Sequence, residues 1–591
     1  MIQPYFETNS RTGKKSVRIV NFAGLNRAIG AGDNQLSDEF NVSADFYPAL
    51  APRRARGIYR ELDGLKCISA TGYGAYITSE SGATYLYYSS GGVWAKKRLY
   101  ISTDVKQIVK HGKYFLFFPQ KVAYDTQSGS EIDLCRSAGG TYSLHMLDED
   151  LKEFKKLTVS DSTPASPADG DVWFDTSDSD SPSLKRYSTM YTGWFEFAAR
   201  LVMMPSDDSK AAYRAMGIKE GDRLQISGSA ENGKTVIEDG YYEVLEATED
   251  SMTVKCTPKV YSTGTNTAGI SISRSVPDMD YVVEYNNRLW GYNNKENELY
   301  SSELGNPLSW NNFSTDATAS FALRVGTNGN FTAIVPFGSY LLFFKEKCVH
   351  KLYGAYPAVY QQSFDEISGV KEGCAATVCP INGTLYYEGT DGIYAYSGAY
   401  PTLISAPLGD MKYCAGSSAG SHANKYYIAF ASDFEHRRTI YVYDTRIGVW
   451  SAEDTFGEDT EFLRIDDALC LRSGERLMRV IGDGECHDTE SDIGWSMTTA
   501  EIRSDEYSKS HLSKILVRLI PVGEVTVRIS VEYDRSGVFE GVKEYVLKES
   551  GIMRLPIVPR RNRGFRIRLE GRGDCRICGF NAEFRKVGDL Q

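Results

Sequence analysis

Lys425-Tyr-Tyr-Ile-Ala429, followed after a short interval by Thr439-Ile-Tyr-Val-Tyr443, reads as two apolar, aromatic-rich strands on either side of a turn. β-branched and aromatic residues fit a pleated, half-buried surface. The same pair recurs along the chain. Upstream are Ala75-Tyr-Ile with Tyr85-Leu-Tyr-Tyr, Lys113-Tyr-Phe-Leu-Phe-Phe with Val122-Ala-Tyr, and Arg288-Leu-Trp-Gly-Tyr with Glu298-Leu-Tyr. Tyr340-Leu-Leu-Phe-Phe with Val349-His-Lys-Leu-Tyr and Thr384-Leu-Tyr-Tyr with Gly392-Ile-Tyr-Ala-Tyr come next, and Ala468-Leu-Cys-Leu with Arg476-Leu-Met-Arg-Val ends the series. Equivalent residues Leu289, Leu341, Leu385, Tyr427 and Leu469 are separated by 52, 44, 42 and 42 positions. A four-stranded propeller blade repeats every ~40–50 residues, so the expected fold is all-β, a β-propeller of about seven blade-like units. An irregular array of β-sandwiches is the competing arrangement.

The period breaks between Tyr124 and Tyr281. Within that gap, Pro164-Ala-Ser-Pro-Ala-Asp-Gly-Asp-Val-Trp-Phe-Asp-Thr176, Leu184-Lys-Arg-Tyr and Gly193-Trp-Phe-Glu-Phe predict a small hairpin module. Gly221-Asp-Arg-Leu-Gln-Ile-Ser-Gly, Gly240-Tyr-Tyr-Glu-Val-Leu and Ser251-Met-Thr-Val-Lys-Cys predict a small barrel. One short helix is expected over 206–216, bounded by Pro205 and Gly217. Past Gly494-Trp-Ser-Met-Thr the pattern becomes strict alternation, as in Val525-Thr-Val-Arg-Ile-Ser-Val-Glu-Tyr533, which predicts a C-terminal antiparallel sandwich. The expected divisions are an N-terminal arm over 1–60 that contributes to propeller closure or adaptor contact, first blades over 61–140, the insert over 141–275, remaining blades over 276–490, and the sandwich over 491–591.

At 591 residues the chain can bury more than one core. Its formal charge is 66 minus 77, or −11, which argues against a general nucleic-acid coat, since phosphate affinity accumulates from Lys and Arg. An acidic conduit, however, would let duplex DNA pass without sticking. No run approaches the ~20 apolar residues of a membrane span, and residues 1–15 lack the apolar centre of a secretory signal. Synthesis and folding in a cytoplasm are expected, without membrane insertion. Eleven scattered cysteines suggest free thiols more than a disulfide framework.

No chemistry-bearing constellation emerges. The seven histidines include no HExxH spacing, and His350 alternates with apolar neighbours like an ordinary strand residue. Cys575-Arg-Ile-Cys578 has CxxC spacing without a second pair, and residues three apart on a strand face opposite sides. Cys374 and Cys379 are no better placed. No catalytic residue, metal or cofactor is therefore expected, and the chain is read as a non-enzyme. Ser89-Ser-Gly-Gly-Val-Trp94 and Asp444-Thr-Arg-Ile-Gly-Val-Trp450 resemble the structural turn boxes of sialidase propellers, with departures at key positions. A glycosidase also needs two carboxylates at a defined separation, which nothing singles out.

Two arginine groups are local charge anomalies. Arg53, Arg54, Arg56 and Arg60 form the first, and Arg560, Arg561, Arg563, Arg566, Arg568, Arg572 and Arg576 the second. Arg53, Arg54, Arg56, Arg560, Arg561, Arg563, Arg566 and Arg568 are candidate contacts to a neighbouring subunit or adaptor, with phosphate contact as the rival role. Trp173 and Trp194 in the insert are candidate contacts to host-surface glycan.

Phe22-Ala-Gly-Leu-Asn26, Asp38-Glu-Phe-Asn-Val-Ser43 and Tyr47-Pro-Ala-Leu-Ala-Pro-Arg-Arg54, followed by blades and a terminal sandwich, resemble the tail hub or nozzle (tail tubular) proteins of short-tailed bacteriophages. The insert's first part also resembles mini-modules of phage tail and fibre proteins. The hub resemblance implies a homo-oligomer, a hexameric ring below the head-to-tail adaptor. Such a ring would be a channel for genome ejection and a platform for tail fibre or needle proteins in the virion tail, with double-stranded DNA as passing cargo. The host would be bacterial. The alternatives are a receptor-binding tail protein that recognises host carbohydrate and, third, a propeller glycan hydrolase.

Overall fold

The computed structural model describes residues 14–28, 30–69, 74–90, 93–231, 234–261, 263–431, 437–457, 460–465, 467–503, 509–558 and 560–585. The first thirteen residues, and Gly91 and Gly92 of the Ser89–Trp94 turn, lie outside them. Strands dominate, and the one α-helix among the described residues is Asp207–Met216. Ser206 stands at its N-cap and Gly217 ends it at φ 58°, a left-handed position that glycine adopts without strain.

Seven four-stranded sheets follow the seven sequence repeats. They are built from Leu65–Ile68 to Val93–Leu99, Gln107–His111 to Glu131–Asp133, Tyr281–Tyr285 to Phe321–Arg324, and Phe331–Phe337 to Gln361–Asp365. The last three start at Cys379–Ile381, Ser418–His422 and Glu461–Ile465. This is the blade organisation of a β-propeller. The seventh sheet takes its fourth strand from the chain's beginning: Gly57–Glu61 pairs antiparallel with Arg476–Ile481, Leu477 opposite Arg60.

The chain forms two compact units, residues 1–97, 342–350 and 364–591, and residues 98–341 and 351–363. In the first, sheets meet face to face across apolar layers. Tyr386 and Ile393 pack with Ile428 and Tyr441, Tyr427 and Val442 with Phe462 and Leu471, and Leu463 and Cys470 with Tyr76. In the second unit, Leu116 and Phe118 share a cluster with Leu289 and Trp310. A blade has two apolar faces that it cannot cover alone, and within each unit stacking buries the faces that meet.

The second unit also holds a closed six-stranded barrel that runs from Arg136–Leu147 to Thr263–Arg274. A four-stranded sheet, Leu157–Ser160 to Gly193–Glu196, is spliced between the barrel's first two strands. One core joins them: Val172, Phe174 and Leu184 of the small sheet pack with Leu144, Leu201 and Ile272 of the barrel.

At the C-terminus, two long strands, Ser510–Tyr533 and Phe565–Arg585, pair along nearly their whole length. Pairing is interrupted between Val522 and Thr526, beside Gly573 at φ 92°. Ile515, Val517 and Leu519 on one side of this break share a core with Val525, Val527, Ile529 and Val531 on the other. One eight-stranded sheet thereby encloses its own inner face as a sandwich. Two of its strands come from the N-terminal arm: Lys14–Ile19 pairs with Phe565–Arg585, and Leu36–Phe40 with Gly494–Thr499.

The arm is stitched down between these contacts. Phe22 meets Phe580 edge-on at 5.8 Å, and Leu25 N–H donates to Trp450 O at 2.8 Å. Gly24 between them has φ 75°, and a Cβ there would lie 2.5 Å from Trp450 O. Gly24→Ala should therefore destabilise the first unit by roughly 1–3 kcal/mol. Gly30→Ala, which meets nothing within 4 Å, should change stability by less than about 0.5 kcal/mol. Thermal unfolding of the two variants in parallel checks the contrast.

Candidate functional site

A polar cleft of about 540 Å³ opens in the first unit. Turns at one end of two blades form it: Ala423 and Asn424 after Ser418–His422, Arg446 before Val449–Gly457, Asp467 before Ala468–Ser473, and Gly482 and Asp483 after Arg476–Ile481. Asp45 and Arg54 of the N-terminal arm complete it. Gly482 is required there, since at φ 104° its Cβ would press on Asp467 O at 2.6 Å.

Asp45 accepts from both Lys425 Nζ and Arg54 Nε, the latter at 3.1 Å. Burial pushes its carboxyl up, but the two cations outweigh burial and hold it below the usual carboxylate range. Arg446 is held by Asp444 through Nη2 at 2.8 Å. The His422 imidazole is lowered, first by burial and then by Arg464, Arg54 and Lys425, with Asp467 opposing. The field at that ring is cationic, within a chain of net charge −11.

Behind the cleft lies a buried ion network. Arg56 Nη1 donates to both oxygens of Asp454, at 2.7 and 2.8 Å, and Nη2 donates to Glu453. Arg53 donates to Asn41 Oδ1 at 2.7 Å, to Glu490 at 2.6 and 3.0 Å and to Asp454 at 3.0 Å. Burial raises Glu453 despite Arg56, whereas hydrogen bonds from Arg53 overcome burial and lower Glu490. Arg53 and Arg56 therefore depart from the expectation of surface contacts: both are buried, and their charges are spent within the chain. Arg54 remains exposed. Arg60 also turns inward, its Nε donating to Tyr76 Oη at 2.6 Å and its guanidinium 4.4 Å from the Trp94 ring centroid.

The C-terminal arginines are more open, yet several have partners in the same chain. Arg560 donates to Glu540 at 3.0 Å, Arg566 pairs with the buried Glu532, and Arg568 lies over Phe539 at 3.9 Å. Arg566 and Arg568 share the outer face, while Phe565, Ile567 and Leu569 point into the core. Arg561 and Arg563 are exposed.

In the insert the two tryptophans separate. Trp173 is 5 % exposed, donates to Ser160 O at 3.1 Å and carries Lys185 over its ring, so it cannot stack on a ligand. Trp194, half-buried, sits edge-on between Trp173 and Tyr187 at 5.5 and 5.3 Å. Met190, Tyr191 and Phe195 are the exposed large apolar groups of this hairpin, and no periodic signal marked them.

Cys575 is buried and its thiol is pushed up to about 12, chiefly by burial, while Cys578 is half-buried. The described residues contain no group of three side chains placed to hold a metal. His350 is fully buried, and burial lowers it to about 4. In the Asp444–Trp450 turn, Gly448 N–H donates to Asp444 O at 2.9 Å and Trp450 Nε1 to Ile404 O at 2.8 Å, which are structural contacts. No helix among the described residues is long and apolar enough to cross a membrane.

These features define an all-β chain of blade-type sheets with an inserted barrel and a terminal sandwich. No protein-family model and no curated protein matches the chain. Among solved structures, it is similar to a chain of the mitotic checkpoint complex at 7 % identity and TM-score 0.29, over 72 % of this chain and 94 % of that one. It is also similar to PorZ of the type-IX secretion system of Porphyromonas gingivalis, at 10 % identity and TM-score 0.23, over 90 % and 93 %. A third is the phage phi92 endosialidase, at 9 % identity and TM-score 0.19, over 84 % and 65 %. At these TM-scores nothing about function passes from those proteins to this chain.

Proposed function

We propose that this protein is a structural component of a phage tail, a hub or nozzle subunit. It would assemble into a ring below the head-to-tail adaptor, give the genome a channel during ejection and carry fibres or a needle. The observation that supports this reading is where the hub-like residues fall. Phe22-Ala-Gly-Leu-Asn26 and Asp38–Ser43 tie the arm to a blade and to the terminal sheet, and Tyr47–Arg54 leads into the buried ion network. An arm tied at several points into a blade and the terminal sheet suits a part that must stay rigid while DNA passes. The acidic net charge suits a conduit from which the duplex backbone is repelled.

The work is passive in this reading, with rigid blades holding a pore open and no bond made or broken. Antibody-gold labelling of virions, imaged in negative stain, tests it. Label on the head-to-tail axis is expected. Label confined to peripheral projections would overturn the hub in favour of a receptor-binding protein, and sugar release by the purified protein would replace the non-enzyme reading with a hydrolase.

A further inference from the structure

The cleft between the arm and the two blades holds donors that the fold does not use. Arg54 commits only Nε to Asp45, its side chain is 65 % exposed, and neither terminal nitrogen is hydrogen-bonded among the described residues. Arg446 gives Nε and Nη2 to Asp444, and its Nη1 is not hydrogen-bonded among the described residues. Neither His422 ring nitrogen is hydrogen-bonded among the described residues. A planar guanidinium with free terminal N–H groups recognises carboxylate or phosphate oxygens.

The rest of the lining narrows the ligand. Three cations, Arg54, Lys425 and Arg446, are matched by three carboxylates, Asp45, Asp467 and Asp483. A bare multivalent anion would gain from the first set and be repelled by the second. Of the lining residues only Ala423, Ile481 and Gly482 lack a polar side chain, so a ligand there meets mostly groups that can hydrogen-bond. A ligand that carries one oxyanion and several hydroxyls can use both sets, since hydroxyls donate to carboxylates. The cleft volume falls in the small-molecule range of ~300–1,000 Å³.

We propose that this cleft binds an oxyanion-bearing sugar, with the anion on Arg54, Arg446 and His422 and ring hydroxyls donating to Asp467 and Asp483. The shared chemistry covers phosphorylated and carboxylated sugars. His422 faces Arg54 from the arm, Lys425 and Arg446 from its own blade, and Arg464 and Asp467 from the next. A bound anion would offset that cationic field and favour imidazolium, so binding takes up a proton and strengthens as pH falls.

Titration calorimetry on the full chain at pH 6 and pH 8 tests this, with glucose 6-phosphate, glucuronate, glucose and inorganic phosphate as probes. At least one acidic sugar should bind tenfold or more tightly than both glucose and inorganic phosphate, and glucose 6-phosphate against glucuronate identifies the anion. Arg54→Gln should weaken that binding tenfold or more, and His422→Gln should remove most of its pH dependence. Arg54→Gln leaves Asp45 held by Lys425, and Arg446→Gln gives a second reading should Arg54→Gln fold poorly. Equal affinity for inorganic phosphate and the acidic sugars, full affinity in both arginine variants, or no binding at millimolar probe would overturn the proposal. None of these outcomes bears on the tail-hub reading, which rests on position in the virion.

Discussion

Arg56→Ala is expected to lower the stability of the first unit by about 3–5 kcal/mol, the usual cost of removing one partner from a buried ion pair. The Arg56 side chain is 1 % exposed and faces Glu453 and Asp454, which are 7 % and 14 % exposed. Truncation leaves two carboxylates close together in a medium that solvates them poorly, and Glu453 is already raised by burial with Arg56 present. Arg56→Lys should restore little, because a single ammonium cannot reproduce the fork that reaches both oxygens of Asp454 as well as Glu453. Arg56→Met combined with Glu453→Leu should cost clearly less than Arg56→Ala, since removing opposite charges together leaves less unpaired charge. The exposed Arg54→Gln should cost less than about 1 kcal/mol. With two compact units the protein need not unfold in one step, so the measurement is the urea midpoint of the transition that involves the first unit. A loss below about 1 kcal/mol for Arg56→Ala would show that the network is not structurally important.

The repeats were legible because aromatic strand pairs recur at blade spacing, and each of the seven pairs forms the middle of a four-stranded sheet. The alternation at Val525–Val531 likewise gave the inner face of the terminal sandwich. What stayed hidden was long-range pairing. Nothing local in Lys14–Ile19 announces a partner more than 550 positions away, since strand register is set by which apolar faces must be covered and not by near neighbours. The same limit applied to the site. Arg53 and Arg56 read as a surface cluster because their carboxylates, Glu453, Asp454 and Glu490, lie some 400 positions downstream. Trp173 and Trp194 read alike in sequence, yet Trp173 is buried beneath Lys185 and Trp194 is half-buried against Trp173 and Tyr187, contacts that local spacing does not reveal. The cleft draws its lining from four turns and the arm, and no motif spans such a set.

Stability of the first unit should also fall as pH rises from about 5 to 9, because two of its buried carboxyls hold their protons near neutrality. Glu39 lies on the arm strand that pairs with Gly494–Thr499. Burial raises its carboxyl from 4.5 to about 8, against the Ala452 N–H it accepts and the nearby Arg27, while Asp38 adds to the rise. Its Oε2 takes the Ala452 N–H at 2.9 Å, and Oε1 has no hydrogen-bond partner among the described residues. Burial likewise raises Glu388 to about 7, opposed by Ser417, Lys371, Cys374 and Arg438. A folded-state value above the unfolded one means that the folded protein binds the proton more tightly, so this contribution is full below about pH 4.5. It is lost as pH passes through 7 and 8. Moving a carboxyl from 4.5 to about 8 corresponds to on the order of 4–5 kcal/mol, and from 4.5 to about 7 to on the order of 3 kcal/mol. Glu39→Gln keeps an acceptor for Ala452 N–H and has no proton to lose. It should therefore resemble the parent at pH 5 and exceed it by several kcal/mol at pH 9, with Glu388→Gln showing a smaller gain that levels off about one pH unit earlier. Urea titrations of the three proteins at pH 5, 7 and 9 would reveal the divergence, and parallel pH profiles for parent and Glu39→Gln would mean that Glu39 ionises in the folded protein without penalty.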